Sequence, residues 1–422
     1  MTVKNSAVFE VAKMLAAGGI SNDPLEKTPT IADVRLLAKR RLPKMAFDFI
    51  DGGADGEITL RANTADLARV TLRPRALVDV TEPSLTTVVA GETLPVPLLL
   101  GPCGLMRLAG GDGELSAVRA AGNAGLTYTI STASSWSIEE LAAEATGPLW
   151  FQLYMWRSRE VVTKLVDRAR ETGCTALVVT VDVPINGKRA RDQRNGMSIP
   201  PKITVQNAAG VIRHPAWFLS LLRGPAIGFR NLQGIAEGSS AMSHQEYVNT
   251  ELVNLRASWE DVAWLRRIWK GPLFIKGITT VEDATNAADV GADGIFVSNH
   301  GGRQLDGLPS TISALPQIAD SVGDGLSIIM DGGIRHGSDV VKAVAVGADA
   351  AAIGRSWAWG LAAAGQRGVE HVATIYRQEI KETLQLLGVS EVKALNRSHV
   401  DFPEEWLSRG AERRPVQQEL NR

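Results

Sequence analysis

Gly294-Ile295-Phe296-Val297-Ser298-Asn299-His300-Gly301-Gly302-Arg303-Gln304-Leu305-Asp306-Gly307 runs from an apolar stretch straight into a glycine-rich turn. The first four residues suit a strand buried on both faces, the kind found in parallel sheets. The turn then sets a histidine and an arginine three residues apart, just beyond the strand end. There they can offer a base and a guanidinium to one small anion.

Working outward, Gly291-Ala292-Asp293 leads into this strand, and Gly347-Ala348-Asp349 leads in the same way into the apolar run 350–353. Further short apolar runs lie at 96–100, 127–131, 149–154, 176–181, 273–276 and 327–330. Amphipathic stretches at 114–123, 159–171, 281–290 and 338–346 separate several of them, and glycines such as Gly125 and Gly291 stand where a left-handed helix stop is expected. Eight strand–helix units predict an α/β fold, a (β/α)8 TIM barrel. An open doubly wound sheet would instead call for a Gly-x-Gly-x-x-Gly turn after the first strand. Gly101-Pro102-Cys103-Gly104 does not supply one. The expected organisation is a helical extension over 1–94, a barrel over 95–370 and a C-terminal helix and tail over 371–422. Within the barrel, the connection after strand four (190–250) is far too long for an ordinary loop and predicts a lid or contact surface.

Composition narrows the class. The 422 residues carry 45% apolar and 22% charged side chains and a net charge of -1, so no basic field argues for nucleic acid. The two cysteines, Cys103 and Cys174, suggest a reducing compartment, and no His/Cys cluster reads as a metal site. Lys4, Glu10 and Lys13 interrupt any leader-like apolar core, so the expectation is a cytoplasmic protein, at most peripheral on the inner face of the cell membrane.

Active sites of such barrels form at the C-terminal strand ends. The candidate residues fall there: Gln152 and Tyr154 after strand three, Thr180, Asp182 and Arg189 after four, Lys276 on five, and Ser298, His300 and Arg303 after six. Asp331-Gly332-Gly333-Ile334-Arg335 and Gly354-Arg355 follow strands seven and eight, where glycine amides and arginine make a phosphate cradle. Lys276, buried at a barrel mouth, needs an anion or an electron-rich partner. It could form a Schiff base or neutralise a reduced cofactor. The arginines favour an anionic substrate.

These motifs resemble the FMN-dependent L-2-hydroxy acid oxidases and dehydrogenases, the family of glycolate oxidase, L-lactate dehydrogenase and mandelate dehydrogenase. The resemblance extends from Thr30 to His399. It rests on Ser298–Asp306, on Thr180-Val181-Asp182 with Asn186-Gly187-Lys188-Arg189, and on the two glycine–arginine turns. It implies that His300 is the base and that Asp182 stabilises its imidazolium. It implies that Arg303 and Arg189 hold the substrate carboxylate, with Tyr154 near the substrate hydroxyl. It implies FMN as cofactor, with Lys276 at the flavin edge where reduction places charge. Pro102, Cys103, Gly104, Ser131, Gln152, Thr180 and Ser298 would surround the ring, and Asp331, Gly332, Gly333, Arg335, Gly354 and Arg355 the phosphate. One position departs: Phe49 stands where the family usually has a carboxylate-binding tyrosine. Losing that hydrogen bond weakens binding by about 1.5–3 kcal/mol, unless the substrate differs.

Residues 213–232 mix aromatics and leucines with arginines, a composition that suits an interfacial membrane helix or a subunit contact. Arg194–Pro201 resembles the lactate and mandelate dehydrogenase branch, which implies a membrane-associated insertion and a quinone or another carrier as electron acceptor. The family resemblance implies a homotetramer. The readings kept open are a soluble oxidase using oxygen, a Schiff-base aldolase or isomerase built on Lys276, and a non-catalytic FMN-binding homologue.

Overall fold

Strands covered on both faces have no polar side to show, so they are short and continuously apolar. In the computed structural model, which describes residues 23–198, 204–233 and 254–408, these runs become β1 (Leu98–Leu100), β2 (Thr127–Ser131), β3 (Leu149–Tyr154), β4 (Ala176–Thr180), β5 (Leu273–Ile278), β6 (Gly294–Val297), β7 (Ser327–Asp331) and β8 (Ala350–Ile353). They pair in parallel in chain order, and β8 pairs back onto β1 to close the barrel. The leader-like region around Lys4–Lys13, part of the Arg194–Pro201 stretch and the 234–250 part of the insertion lie outside the described residues.

Alternate residues of each strand point inward and fill the barrel. Leu99, Trp150, Val178, Phe274, Phe296 and Ile329 belong to one buried cluster. Trp150 stacks on Phe274 at 4.7 Å, and Phe296 meets both rings edge-on. The other faces pack under helices such as Arg159–Glu171, capped by Ser158, and Val281–Asp289, capped by Thr280. Gly125 and Gly291 both take positive φ, as their places before β2 and β6 required.

The region before β1 is only partly helical. Helices Ile31–Arg41, Lys44–Asp51 and Ile58–Arg69 give way to an antiparallel hairpin, Thr87–Val89 with Glu92–Leu94. Its turn, Ala90-Gly91, has positive φ at both residues, the two-residue hairpin geometry. The hairpin plugs the N-terminal end of the barrel. Val89 and Leu94 join the interior cluster, Ala90 N–H donates to Ser327 Oγ at 2.8 Å, and Trp150 Nε1 donates to Glu92 at 3.2 Å. With the N-terminal end closed among the described residues, a ligand meets the barrel at its C-terminal end. At the far end of the chain, helix Gln366–Leu387 begins slightly earlier than the sequence suggests and packs on Arg355–Ala364.

Candidate active site

Parallel register sets the first layer of the site. Tyr154 pairs with Thr180, and Thr180 with Lys276, so three neighbouring strands bring these side chains to one level at the C-terminal mouth. Beside them Ser131 Oγ donates to Gln152 Oε1 at 3.1 Å, and Gln152 Nε2 donates to Thr180 Oγ1 at 2.8 Å. That polar row is buried and rigid.

Lys276 is 4% exposed. Its ammonium donates to Ser298 Oγ at 2.7 Å and pairs with Asp331 Oδ2 at 2.9 Å. Burial works against its charge, but the carboxylates of Asp331 and Asp182 outweigh it and hold the pKa above the ordinary lysine value. Asp331 Oδ1 is buried with no hydrogen-bond partner, an acceptor left for a donor that sits in the cavity.

His300 occupies a left-handed backbone conformation (φ 56°), unusual for a residue with a side chain. Its backbone N–H donates to Ser298 Oγ at 3.1 Å, and its Nδ1 lies 3.0 Å from Asp182 Oδ1. A carboxylate on Nδ1 fixes the tautomer and leaves Nε2 as the free base. Burial raises the Asp182 pKa, but the charge and hydrogen bond of His300, with Lys276 nearby, bring it below the usual carboxylate value. Asn299 and Asn63 exchange reciprocal amide bonds of 2.8 Å, and Asp306 accepts from the N–H groups of Gly56, Ile58 and Thr59. The strained loop is thus fixed from both sides by the N-terminal segment.

Two arginines face the histidine. Arg303 Nη1 donates to the carbonyls of Phe49 and Gly52 at 2.8 and 2.9 Å, and Arg189 Nε meets Asp192 Oδ2 at 3.0 Å. Both guanidiniums stand over the Phe49 ring, 5.4 and 5.6 Å from its centroid. Burial, then the positive charge of Arg189, lowers the Arg303 pKa to about 10. Two partly buried like charges over one ring favour an anion between them.

The β7–β8 end is glycine-lined and cationic. Gly332 and Gly333 have φ of 90° and 85°, and a Cβ on Gly333 would sit 2.2 Å from Asn63 O. Arg335 lies over Trp359 at 4.8 Å. Arg355 donates from Nε, Nη1 and Nη2 to the carbonyls of Asp51, Gly301 and Gly52. It therefore ties the Asp51–Gly52 turn to the Gly301 loop, and it lines the cavity. Burial, then Arg303 and Arg335, lowers its pKa to about 9.

The cavity enclosed by these groups measures about 570 Å³. Every residue singled out in the sequence lines it except Asp182, Ser131 and Ser298. Those three stand directly behind, holding His300, Gln152 and Lys276. Sequence reading missed Asp192, Met197, Trp156 and Phe229, all of which face the cavity. Asp192 was detectable as the i+3 partner of Arg189 on helix Ala190–Arg194. Phe229 comes from the insertion, so part of that segment does close on the site. A ligand with a phosphate at the β7–β8 end and a flat polar body against β1–β4 fits this division of charge.

The description "FMN-dependent dehydrogenase" belongs to a family model that matches residues 38–402. The chain is 42% identical over 375 residues, 88% of its length and 98% of the relative's, to an L-lactate dehydrogenase of Yersinia pestis strain Pestoides F. It matches a crystal structure of the monotopic membrane protein (S)-mandelate dehydrogenase with TM-score 0.84 and 37% identity, covering 89% of this chain and 100% of that one. A crystal structure of mandelate oxidase matches with TM-score 0.76 and 37% identity, over 89% and 98%. Barrel, cationic glycine turns and His300–Asp182 pair agree with these likenesses, and the chain belongs to the FMN-dependent dehydrogenase family, with FMN as its cofactor.

Proposed function

We propose that this protein oxidises an L-2-hydroxy acid of the lactate or mandelate kind to the 2-oxo acid. The observation that carries the proposal is the His300–Asp182 pair, at 3.0 Å, set in a cavity with two arginines over Phe49. Arg303 and Arg189 bind the carboxylate, and this fixes the 2-carbon. His300 takes a proton from the substrate, and Asp182 stabilises the imidazolium that results. Tyr154, whose pKa burial and then Asp182 push up to about 12, stays a protonated hydrogen-bond donor beside the substrate hydroxyl. FMN, when bound, accepts the two electrons that leave the substrate. Arg335, Arg355 and the Gly332-Gly333 turn would hold its phosphate, and Lys276 would supply positive charge to balance the reduced ring.

The Schiff-base reading asks for a neutral lysine. Lys276 is instead held charged by Asp331 and Ser298. For the acceptor, likeness to a membrane dehydrogenase favours a quinone or a similar carrier, and the oxidase likeness favours oxygen. We take the first, with peripheral membrane contact through 213–232 and a homotetrameric assembly. No described helix is long and apolar enough to cross a membrane.

Anaerobic mixing of the yellow holoenzyme with a panel of L- and D-2-hydroxy acids tests this reading. Bleaching by L-lactate or L-mandelate, then faster recovery of colour with a quinone than with oxygen, is the expected result. No bleaching by any member of the panel would sink it.

A further inference from the structure

A second cavity, about 470 Å³, shares no lining residue with the active site and lies between the C-terminal end of helix Ile31–Arg41, the turn Gly110–Gly113 and helix Pro215–Leu221. Arg40, Arg41, Arg213 and His214 line it, against one carboxylate, that of Asp112. Among the described residues Arg40, Arg41 and Arg213 have no ion-pair partner. Three exposed arginines lining one hollow, with no ion-pair partner among the described residues, make a site for a multiply coordinated anion.

The chain around the hollow is apolar and faces outward. Ile212 and Leu219 are 77% and 55% exposed, and Leu222 is 66% exposed. Large aliphatic groups held in water so near one another mark a contact surface. They are not a loose loop. Trp217 is buried and its Nε1 donates to Leu108 O at 2.8 Å. The fully buried Arg107 donates to Gly111 O and Leu221 O, both at 2.8 Å. A Cβ on Gly111 would come within 2.4 Å of Ser220 O, and one on Gly224 within 2.6 Å of Arg107 Nη2, so both glycines are needed to seat the segment. The barrel therefore presents an apolar edge with a cationic pocket beside it, at fixed spacing.

We infer that this cavity binds the phosphate of an anionic phospholipid headgroup, with Ile212, Leu219 and Leu222 entering the lipid beside it. The inference rests on the peripheral membrane contact proposed above and adds to it a defined headgroup site.

Holoenzyme would be sedimented with phosphatidylcholine vesicles that contain or lack phosphatidylglycerol. Titration calorimetry with monomeric short-chain phosphatidylglycerol and with inorganic phosphate would run beside it. Wild type should prefer the anionic vesicles and bind the short-chain lipid saturably, and much more tightly than phosphate. The variant R40A/R41A/R213A should lose vesicle affinity on the order of a hundredfold, and saturable lipid binding with it, while keeping its flavin. Removing charge outside the cavity, in K39A/R223A, should leave saturable binding intact. The headgroup site is overturned if the triple variant binds like wild type while L219S/L222S detaches, an outcome that leaves membrane contact standing. It is also overturned if phosphate binds as tightly as the lipid, or if the triple variant changes only oligomeric state, which would make the cavity a subunit contact. Wild type that binds neither vesicle would remove the membrane reading itself.

Discussion

Phe49 is where this chain departs from the tyrosine expected in its family, and the site is built around its ring. Arg189 and Arg303 both stand over the ring face, so the aromatic group orders the two cations proposed to bind the carboxylate without donating a hydrogen bond. Phe49→Tyr should add that donor and lower KM for a small 2-hydroxy acid by about tenfold, with little change in kcat. Steady-state kinetics decide it, and an unchanged or higher KM would show the slot is shaped for the apolar ring. Asp182 gives a second residue-scale prediction. Burial raises its pKa, but His300 and Lys276 bring it below the ordinary 3.8. A carboxylate whose folded pKa is depressed contributes its stability in full above the unfolded value, and loses it as pH falls through the folded one. Asp182→Asn should therefore lower the melting temperature at neutral pH, and the gap to wild type should close as pH falls below 3.8. A gap that widens in acid would contradict the pairing.

The barrel strands were readable because burial on both faces leaves an apolar run with no alternation, as in Gly294–Val297 and Ala350–Ile353. The hairpin Thr87–Val89/Glu92–Leu94 was missed, although its Ala90-Gly91 turn was a usable signal. Its strands are three residues each, too short for a period to show. Strand ends also located most of the site, because a (β/α)8 barrel gathers them on one face. They could not tell which side chains turn toward the cavity. Ser131 and Ser298 stand at strand ends yet turn to Gln152 and Lys276. The three backbone carbonyls bound by Arg355 come from loops that only the fold brings together. Inside the barrel Trp150, Phe274 and Phe296 form a buried aromatic cluster. Phe296→Ala should cost about 3–5 kcal/mol in denaturant unfolding. A loss under about 1 kcal/mol would mean the interior can collapse onto the gap.

At the scale of the whole molecule, elements far apart in sequence close over one barrel mouth. Arg191, on the helix that follows Arg189, reaches Asp51 at 3.0 Å and pairs with Glu57, while Arg35 grips Asp51 bidentately. The same Asp51–Gly52 turn offers its carbonyls to Arg355 and Arg303. Arg355, Arg303 and the N-terminal helices thus share one network. Through Arg355 it holds the Gly301 carbonyl, next in chain to His300. His300, at the mouth of an FMN barrel, is proposed to remove the proton on which oxidation of the 2-hydroxy acid depends. Anaerobic stopped-flow mixing of wild type and His300→Gln with the best acid from the panel tests it most directly. The variant should keep its flavin spectrum and bleach slower by about 10²–10⁴-fold. Bleaching at the wild-type rate would contradict it.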